Sequence, residues 1–294
     1  CIGQSFIWQE EIMLEVVNIE KSYGKKKILH DISFSIEKGQ IKALVGPNGS
    51  GKTTLMNTMT NLLKRDGGQV LVDGKEFKDE KIFNHISFFK DEKILDENLY
   101  GMDYLNYIKN VYKRTKDDVD RVIKEIGIES FVKSKTGSYS LGMKKKLMLA
   151  MDFLPQRDII LLDEPLSGLD PTSVIKMMAL IKKKAKDGQG ILISSHSLND
   201  IDEITNNILF LKDGKILEEV LENEKFIEII SSDNEKLSSV LKSKGFNMDK
   251  NMISLNNSSI NDILSIIIEN NIEILDIKRR SKTSQERYKE IFGI

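Results

Sequence analysis

The segment GPNGSGKT, residues 46–53, constrains the fold of this chain more than any other feature. It fits the pattern G-x-x-x-x-G-K-[ST], in which a glycine-rich turn joins a strand to a helix. The apolar QIKALVG precedes it and is typical of a strand, and the helically spaced KTTLMNTMTNLL follows it. Backbone N–H groups in such a turn form a concave site for anions. The sequence therefore predicts an α/β fold built around a phosphate-binding loop.

The residues of this loop predict how it binds a nucleotide. Lys52 is expected to reach the β and γ phosphates of ATP, and the hydroxyl of Thr53 is expected to ligate Mg²⁺. Gly49 and Gly51 permit the backbone angles that the turn requires. The loop residues expected to contact the nucleotide are Gly46, Asn48, Gly49, Ser50, Gly51, Lys52, Thr53 and Thr54.

Two acidic residues follow the apolar segment DIILL, which is typical of a strand that is buried on both faces. Asp163 stands where a carboxylate can hold Mg²⁺ through water, and Glu164 can orient or deprotonate the attacking water. His196 follows the apolar ILISS and would close the opposite side of the site. Two acids after a strand are also typical of an exposed turn, and a lone histidine is more often structural than catalytic. Both alternatives stay open at this point.

The order of the other segments predicts the sheets and helices around the loop. Strand, crossover helix and strand follow one another from DIILLDEP through PTSVIKMMALIKKKAKDG to ILISSH, which predicts a mostly parallel central sheet. Residues 14–36 alternate apolar and polar side chains around the turn-like YGKKK, which favours an antiparallel edge subdomain. Residues 98–150 contain amphipathic helical segments and are expected to form a helical insertion.

The character of the sequence changes after about residue 222. The following segments suggest strand, helix, two strands, helix and strand, which is the order of a ferredoxin-like unit. We therefore expect a main domain with the phosphate-binding loop over residues 13–222 and a small α+β appendage over residues 223–294. Residues 1–12 have neither the basic stretch nor the apolar core of a secretory signal, and Met13 looks like a natural start. These twelve residues are expected to be an extension that is not native.

Charge and cysteine content exclude several classes of function. Lys and Arg number 44 and Asp and Glu number 45, so the net charge of −1 gives no indication of a nucleic-acid partner. The single cysteine, Cys1, excludes internal disulfide bonds and cysteine-based zinc sites. The three histidines show no spacing typical of metal ligands. No segment has the roughly 18 uncharged apolar residues of a membrane span, so no direct membrane span is expected.

The motifs GPNGSGKT, YSLGMKKK, ILLDEPLSGLDP and ISSH occur in this order, and with them the chain resembles the ATP-binding subunit of an ABC transporter. The resemblance runs from about residue 14 to about residue 220. It implies a P-loop NTPase that hydrolyses ATP, with ATP and Mg²⁺ as cofactors. It also implies that Tyr23 stacks on the adenine, although a tyrosine in SYGKKK is equally compatible with a simple turn. Residues 167–170 match the loop that communicates between paired sites, and Asp170 is expected at the nucleotide.

The helix start at SLGMK, residues 140–144, has two possible roles. Ser140 fits an N-cap and Gly142 lets a ligand approach the backbone, so the segment is either an anion site or a capped surface helix with a solvated basic face. The resemblance implies that Ser140 and Gly142 bind the γ-phosphate of the ATP that the other subunit holds. Lysines 144–146 point about 100° apart around the helix, so at least one is expected to face solvent or the partner.

A third candidate metal ligand lies in HISFFKDEK, residues 85–93. Alignment of this segment with the glutamine loop of the family places Asp91 where glutamine is usual, with Glu92 as the second choice. A carboxylate at this position either binds Mg²⁺ directly or is a solvated turn residue without the metal contact. Asp91 therefore joins Thr53 and Asp163 as an expected metal ligand.

The resemblance implies the motor subunit of a membrane exporter of peptides, drugs or lipid-like substrates. Such a subunit would be cytoplasmic, would lie at the inner face of the cell membrane on a separate multispan permease, and would pair as a homodimer or heterodimer. A short permease helix is expected in a groove near residues 86–110, where the aromatic residues of LYGMDYLNYI either line the groove or belong to the core. The alternative is a soluble ABC-type ATPase that acts on ribosomes or nucleic acid, although the single phosphate loop disfavours it.

Overall fold

The computed structural model describes residues 11–90, 94–221, 226–246, 248–249, 251–255, 260–280 and 283–294. Backbone contacts divide the chain into two units, Cys1–Glu219 and Val220–Ile294, and each unit has a hydrophobic core of its own. Most of the expected N-terminal extension lies outside the described residues, whereas Ile12 already belongs to the first strand.

The strands of the larger part of the chain form two sheets. In chain order they are β1 (Ile12–Tyr23), β2 (Lys26–Glu37), β3 (Ile41–Val45), β4 (Gly67–Val72), β5 (Lys75–Glu76), β6 (Ile86–Phe89), β7 (Ile159–Asp163), β8 (Gly190–Ser194), β9 (Asn207–Lys212) and β10 (Lys215–Val220). An antiparallel sheet has the order β2-β1-β4-β5, and a larger sheet has the order β10-β9-β3-β8-β7-β6. The two sheets confirm the predicted edge subdomain and central sheet.

The larger sheet is mostly parallel, as predicted. β3 pairs in parallel with β8 and β9, and β7 pairs in parallel with β6 and β8. Every residue of β3 and β8 is buried, which explains why their sequences are almost continuously apolar. The carboxyl ends of parallel strands meet at one edge of a sheet, and ligands bind there in open α/β sheets. The expected site residues follow β3, β7 and β8, so the topology brings them to the same edge.

Helices cover the sheets and form the predicted insertion. They are α1 (Lys52–Met59), α2 (Gly101–Val111), α3 (Lys116–Ile126), α4 (Leu141–Phe153), α5 (Pro171–Lys186) and α6 (Leu198–Ile204), with short 3₁₀ turns at Glu80–Asn84 and Thr136–Ser138. The insertion expected over residues 98–150 contains α2, α3 and most of α4, and these three helices contact one another. The fold is therefore a P-loop α/β architecture with a helical insertion, as the sequence predicts.

α3 shows how local sequence fixes an element of this insertion. Thr115 Oγ1 accepts a hydrogen bond from the N–H of Asp118, and Asp118 Oδ2 accepts one from the N–H of Thr115, which makes a reciprocal cap. Gly127, at φ 74°, ends the helix. Its apolar face is buried at Val119, Val122, Ile123 and Ile126. Burial of each such side chain contributes about 1.5–3 kcal/mol.

The core of unit 1 joins the two sheets to the helix that follows the phosphate loop. Leu14 and Ile32 come from the antiparallel sheet, Leu161 and Leu192 come from the central sheet, and Leu55 comes from α1, and all five are fully buried. The phosphate-binding loop is thus anchored on both sides by a closely packed interior.

Unit 2 is a smaller α+β unit. Its elements are β11 (Phe226–Ser231), α7 (Asn234–Ser243), β12 (Met248–Asp249), β13 (Met252–Ser254), α8 (Ile260–Glu269), β14 (Ile274–Arg280) and α9 (Ser284–Phe292). Its antiparallel sheet has the order β12-β13-β11-β14. We propose from this order that residues 223–294 form a ferredoxin-like domain with one added helix. Within the described ranges, no helix of either unit is long and apolar enough to cross a bilayer.

Candidate nucleotide-binding site

The phosphate-binding loop leads from β3 into α1. The helix begins at Lys52 directly after Gly51, whose φ of 108° lies in the left-handed region that favours glycine. A Cβ atom on Gly46 would lie 2.7 Å from the carbonyl oxygen of Leu211 and 2.8 Å from Ser50 Oγ, so a larger residue at this position would displace the loop. Because the first N–H groups of a helix have no partner within the helix, the start of α1 is suited to an anion.

Lys52 lies against this loop and is almost completely buried, with 8% of its surface exposed. Its Nζ donates hydrogen bonds to the carbonyl oxygens of Gly46, at 2.7 Å, and Pro47, at 3.3 Å. The ammonium group therefore lies beside the backbone that is expected to hold the phosphates.

A cleft of about 270 Å³ adjoins the loop. The residues that line it are Tyr23, Ile28, Asn48, Gly49, Gly51, Lys52, Thr53, Thr54, Asp163 and Glu164. Nine of the expected site residues thus lie together, and Ile28 is an addition that the sequence did not indicate. Gly46 and Ser50 belong to the same loop but are not among the residues that line the cleft. Tyr23 is 53% exposed, so part of its ring is available for stacking on a base.

The end of β7 is tied to the phosphate-binding loop and to β8 by hydrogen bonds. Thr53 Oγ1 donates to Asp163 Oδ2 at 2.6 Å, and Ser194 Oγ donates to Asp163 Oδ1 at 2.6 Å. The N–H of Glu164 donates to Ser194 Oγ at 2.9 Å. These bonds fix both oxygens of the Asp163 carboxylate and the start of the next residue. Ser194, fully buried at the end of β8, therefore positions both acids.

Glu164 has a backbone conformation that is unusual for a residue with a side chain. Its φ of 55° lies in the left-handed region, which costs about 1–3 kcal/mol unless the surroundings hold it. Its carbonyl oxygen accepts a hydrogen bond from Lys145 Nζ at 3.1 Å, and its Oε2 contacts Nδ1 of His196. The predicted pair Glu164 and His196 is therefore in direct contact, with the histidine side chain 61% exposed.

The donor set beside the cleft fits a magnesium ion. Thr53 and Asp163 contribute a hydroxyl and a carboxylate within hydrogen-bond distance of each other, and Mg²⁺ prefers such oxygens together with substrate phosphates. Across the described parts of the chain, no group of three or more His, Cys, Asp or Glu side chains is placed to hold a metal ion, so the protein offers no complete cage. Asp91 falls in residues 91–93, which lie outside the described residues, and its expected role stays a prediction.

Ser140, Gly142 and Asp170 lie away from the cleft lining, at the starts of α4 and α5. Ser140 caps α4, with its Oγ accepting a hydrogen bond from the N–H of Met143 at 3.3 Å. Asp170 caps α5 and accepts hydrogen bonds from Ser173, which hold the pKa of Asp170 below its usual value. A Cβ atom on Gly142 would lie 3.6 Å from the carbonyl oxygen of Gly168, so the two helix starts adjoin. Each expected residue thus caps or adjoins a helix start.

The three lysines of α4 all have partners within the chain. Lys144 lies 3.7 Å from Glu97, and Lys146 lies 4.0 Å from Asp170. Lys145 is 7% exposed and donates to the carbonyl of Glu164. We expected at least one of these lysines to face solvent or a partner; the side chains of Lys144 and Lys146 are 22% and 23% exposed, whereas the middle one, Lys145, is buried.

Sequence reasoning missed two residues that hold the acids in place. Ser194 is part of the quoted ISSH, but its position before His196 gave no sign that it reaches Asp163. Lys145 is one of three consecutive lysines, and nothing in the sequence indicates which of them contacts Glu164; the packing of α4 against the end of β7 shows that it is Lys145. Both contacts join segments that are far apart in sequence, so spacing alone could not predict them.

A second concavity, of about 210 Å³, lies beside β6 and the carboxyl end of α4. We call it the β6 groove, and its lining consists of Phe83, Ile86, Ser87, Phe88, Phe89, Ile94, Ile108, Tyr112, Met148, Met151, Asp152, Pro155 and Arg157. The groove overlaps the region expected near residues 86–110. The aromatic residues of LYGMDYLNYI were expected either to line the groove or to belong to the core. Tyr104 and Tyr107 are not among the lining residues, and Tyr107 is 67% exposed, so it does not belong to the core either.

An acidic residue, Asp152, lies at the buried base of the β6 groove. It is 8% exposed, and its Oδ2 has no hydrogen-bond partner among the described residues. Burial raises the pKa of Asp152 well above its usual range, and interaction with Ser87 opposes that rise only in part. The carboxyl group therefore favours its neutral form.

Comparisons with known proteins agree with this site. A family model described as ABC transporter matches residues 29–167. The lantibiotic transport ATP-binding protein SrtF of Streptococcus pyogenes is 31% identical over 205 residues, which cover 70% of this chain and 89% of SrtF. The bacitracin transport ATP-binding protein BcrA of Bacillus licheniformis is 28% identical over 301 residues, which cover 96% of this chain and 97% of BcrA.

Solved structures share the fold. An ATP-binding subunit of an ABC transporter matches 87% of this chain and 99% of its own, with a TM-score of 0.67 and 22% identity. An ATP-binding cassette in a dimeric post-hydrolysis state, bound to ADP and phosphate, matches 71% of this chain and 99% of its own, with a TM-score of 0.64 and 25% identity.

The fold and the cleft define a P-loop ATPase with its acids at the ends of parallel strands. The chain belongs to the family of ABC transporter ATP-binding proteins, and it binds and hydrolyses ATP.

Proposed function

We propose that this ATPase is the motor of a membrane exporter. The observation that carries the proposal is the cleft that brings together the phosphate-binding loop, Asp163 and Glu164, in a chain similar over nearly its whole length to a bacitracin transport protein. SrtF, named for lantibiotic transport, supports the same class of cargo. Peptides, drugs or lipid-like compounds are therefore the proposed substrates of the complete transporter.

Two copies of an ATP-binding subunit share each ATP in this proposal. One chain contributes the phosphate-binding loop and the acids, and the second contributes Ser140 and Gly142 at the start of its α4. The position of these two residues outside the cleft lining supports a role in a neighbouring site rather than in their own. The related cassette with ADP and phosphate is dimeric. A ligand that binds only the paired state stabilises the pair, so ATP acts as the adhesive between subunits.

The reaction transfers the γ-phosphoryl group of ATP to water. Glu164 orients or deprotonates the attacking water, and the contact with His196 holds its carboxylate in one direction. Lys52 and the N–H groups of the loop neutralise charge on the phosphates. A Mg²⁺ ion held by Thr53 and Asp163 would supply further positive charge to the phosphate oxygens. The products are ADP and phosphate.

A separate multispan permease is the proposed partner, and its site is the β6 groove. Ile94, 62% exposed, and the aromatic residues Phe88 and Phe89 give the groove an apolar lining that fits a short amphipathic helix. The protein would then lie in the cytoplasm, at the inner face of the cell membrane. A role for this ATPase on ribosomes or nucleic acid is not favoured, because the relatives described above are named for transport.

Affinity purification from membranes in mild detergent tests the proposal. The full chain is expected to retain a multispan polypeptide, and Ile94→Asp is expected to lose it because a charge enters the apolar groove. Ile268→Asp is the matched control, since Ile268 is 71% exposed on α8 in unit 2. Equal retention by both variants would contradict the groove as the docking site. Copurified ribosomes or nucleic acid in place of a membrane protein would contradict the transport function.

A further inference from the structure

The backbone of Glu164 is held from both sides by side chains of other elements. Ser194, at the end of β8, accepts a hydrogen bond from its N–H at 2.9 Å, and Lys145, on α4, donates one to its carbonyl oxygen at 3.1 Å. The left-handed φ of 55° is a conformation that a residue with a side chain keeps only when its surroundings over-determine it. Loss of either hydrogen bond would therefore let the backbone at Glu164 leave this conformation and would reorient its carboxylate.

Lys145 lies one turn after the start of α4, and that helix start is packed against the segment that follows Glu164. A Cβ atom on Gly168 would lie 2.9 Å from Leu141 Cδ2, and Lys146 lies 4.0 Å from Asp170. Lys145 is 7% exposed, so its ammonium group is enclosed beside the Glu164 carbonyl. The start of α4 and the segment from residue 164 to residue 170 are therefore connected at three points.

We infer that Lys145 is a positioning residue that links the α4 start, which contacts the second chain's ATP, to Glu164 in the site of its own chain. The inference rests on the proposed two-chain site. Movement of α4 when the second chain's γ-phosphate binds at Ser140 and Gly142 is transmitted through the Lys145 side chain to the Glu164 peptide. Each ATP thereby sets the geometry of the acid that cleaves the other ATP.

Steady-state hydrolysis by the full chain with ATP and Mg²⁺ tests this role. Lys145→Met keeps an unbranched apolar side chain, one atom shorter than that of lysine, and removes the donor. We expect kcat to fall about 10- to 100-fold with KM for ATP within about twofold of the parent value. Lys145→Arg keeps a donor and is expected to recover most of the rate. Lys184→Met is a matched control, because Lys184 is also buried, at 6% exposed, and pairs with Glu125 on α3. An unchanged kcat in Lys145→Met, or equal loss in Lys145→Arg, would overturn the inference.

Mixed dimers show whether Lys145 positions Glu164 of its own chain or instead contacts the ATP that the second chain holds. Lys145→Met mixed with excess Ser140→Arg leaves one site in which the ATP-holding chain keeps its Lys145–Glu164 contact and the second chain keeps Ser140. The α4 start of the ATP-holding chain carries Ser140→Arg in this mixture and in the reference mixture alike. The activity of the first mixture is expected to equal that of the parent protein mixed with the same excess of Ser140→Arg. A lower activity of the first mixture would show that Lys145 contacts the second chain's ATP, and would overturn the inference. Full activity of the parent protein as a permanent monomer would instead contradict the proposed function itself.

Discussion

At the residue scale, both the side chain and the backbone of Glu164 are held by contacts with other elements. The carboxylate of Glu164 contacts His196, whereas its N–H and carbonyl groups are bound by Ser194 and Lys145. A residue with a side chain keeps a left-handed conformation only where its surroundings hold it, as the hydrogen bonds to its N–H and carbonyl groups do here. The hydrogen bonds around Glu164 therefore hold its carboxylate in one direction.

Glu164→Gln separates ATP binding from ATP cleavage. The amide keeps the size of the carboxylate but cannot act as a base, so turnover is expected to fall by about 100-fold or more while ATP binding persists. Size-exclusion chromatography with light scattering in excess ATP and Mg²⁺ is expected to show a dimer. Glu129→Gln, at an exposed residue, is the control and is expected to turn over normally. A Glu164→Gln protein that binds ATP and stays monomeric would contradict the shared site.

Asp152 makes the stability of unit 1 depend on pH. Burial raises the pKa of Asp152 in the folded state well above the usual range, whereas an aspartate in an unfolded chain has a pKa of about 4. Between these two values the folded state binds more protons than the unfolded state, so the free energy of unfolding falls as pH rises.

Asp152→Asn removes this titration, and the variant is expected to gain stability over the parent protein as pH rises above about 4, until the carboxyl group ionises in the folded state as well. Urea unfolding followed by circular dichroism at several pH values measures the difference. Asp120→Asn, at an exposed position on α3, controls for the loss of an acid. A constant difference between Asp152→Asn and the parent protein across this range would show that Asp152 ionises alike in both states.

At the scale of elements, an ion-pair cluster joins the helical insertion to the central fold. Glu125 on α3 lies 3.2 Å from Lys183 and 3.7 Å from Lys184, both on α5. Lys184 is almost completely buried, and its Nζ lies 5.4 Å from the centroid of the Phe153 ring. Burial lowers the pKa of Lys184, and the charge of Glu125 opposes that change. The Glu125–Lys184 pair is therefore expected to contribute more to the free energy of unfolding than an exposed ion pair would.

Glu125→Gln is expected to lower the free energy of unfolding by about 3 kcal/mol, because it leaves the buried ammonium group of Lys184 without its counter-charge. Glu129→Gln is again the control and is expected to stay within about 0.5 kcal/mol of the parent protein. Urea denaturation of the two variants at one pH makes the comparison. Equal stability of both variants would mean that water already screens Glu125.

The elements and the phosphate site could be predicted because their signals are local. GPNGSGKT specifies its own turn, and the apolar segments before Asp163 and His196 specify buried strands. The β6 groove could not be predicted in the same way, because β6, α2 and α4 each supply part of its lining. The contact between Lys145 and Glu164 could not be predicted for the same reason, since it depends on where α4 packs. Periodicity identifies a helix but not the neighbour against which each of its residues packs.

At the scale of the whole molecule, the described residues of each unit include a separate hydrophobic core. Leu55 and Leu161 belong to the core of unit 1, and Ile229, Leu237 and Ile267 belong to the core of unit 2. Two cores favour two melting transitions, and a single two-state description then fails. ATP with Mg²⁺ is expected to shift the transition of unit 1 upward by binding its folded state, and differential scanning calorimetry would measure the shift. Equal shifts of the whole profile would show that the chain melts as one body.

The separate core of unit 1 also bears on how the chain is made. The described core residues that join α1 to the two sheets lie before Glu219, so they leave the translating ribosome ahead of residues 220–294. Domains of growing chains fold as units, starting from the amino terminus. The ATP-hydrolysing unit can therefore reach its native form while the remainder is still being synthesised, and nascent chains halted at that boundary already contain every expected nucleotide-contacting group named above.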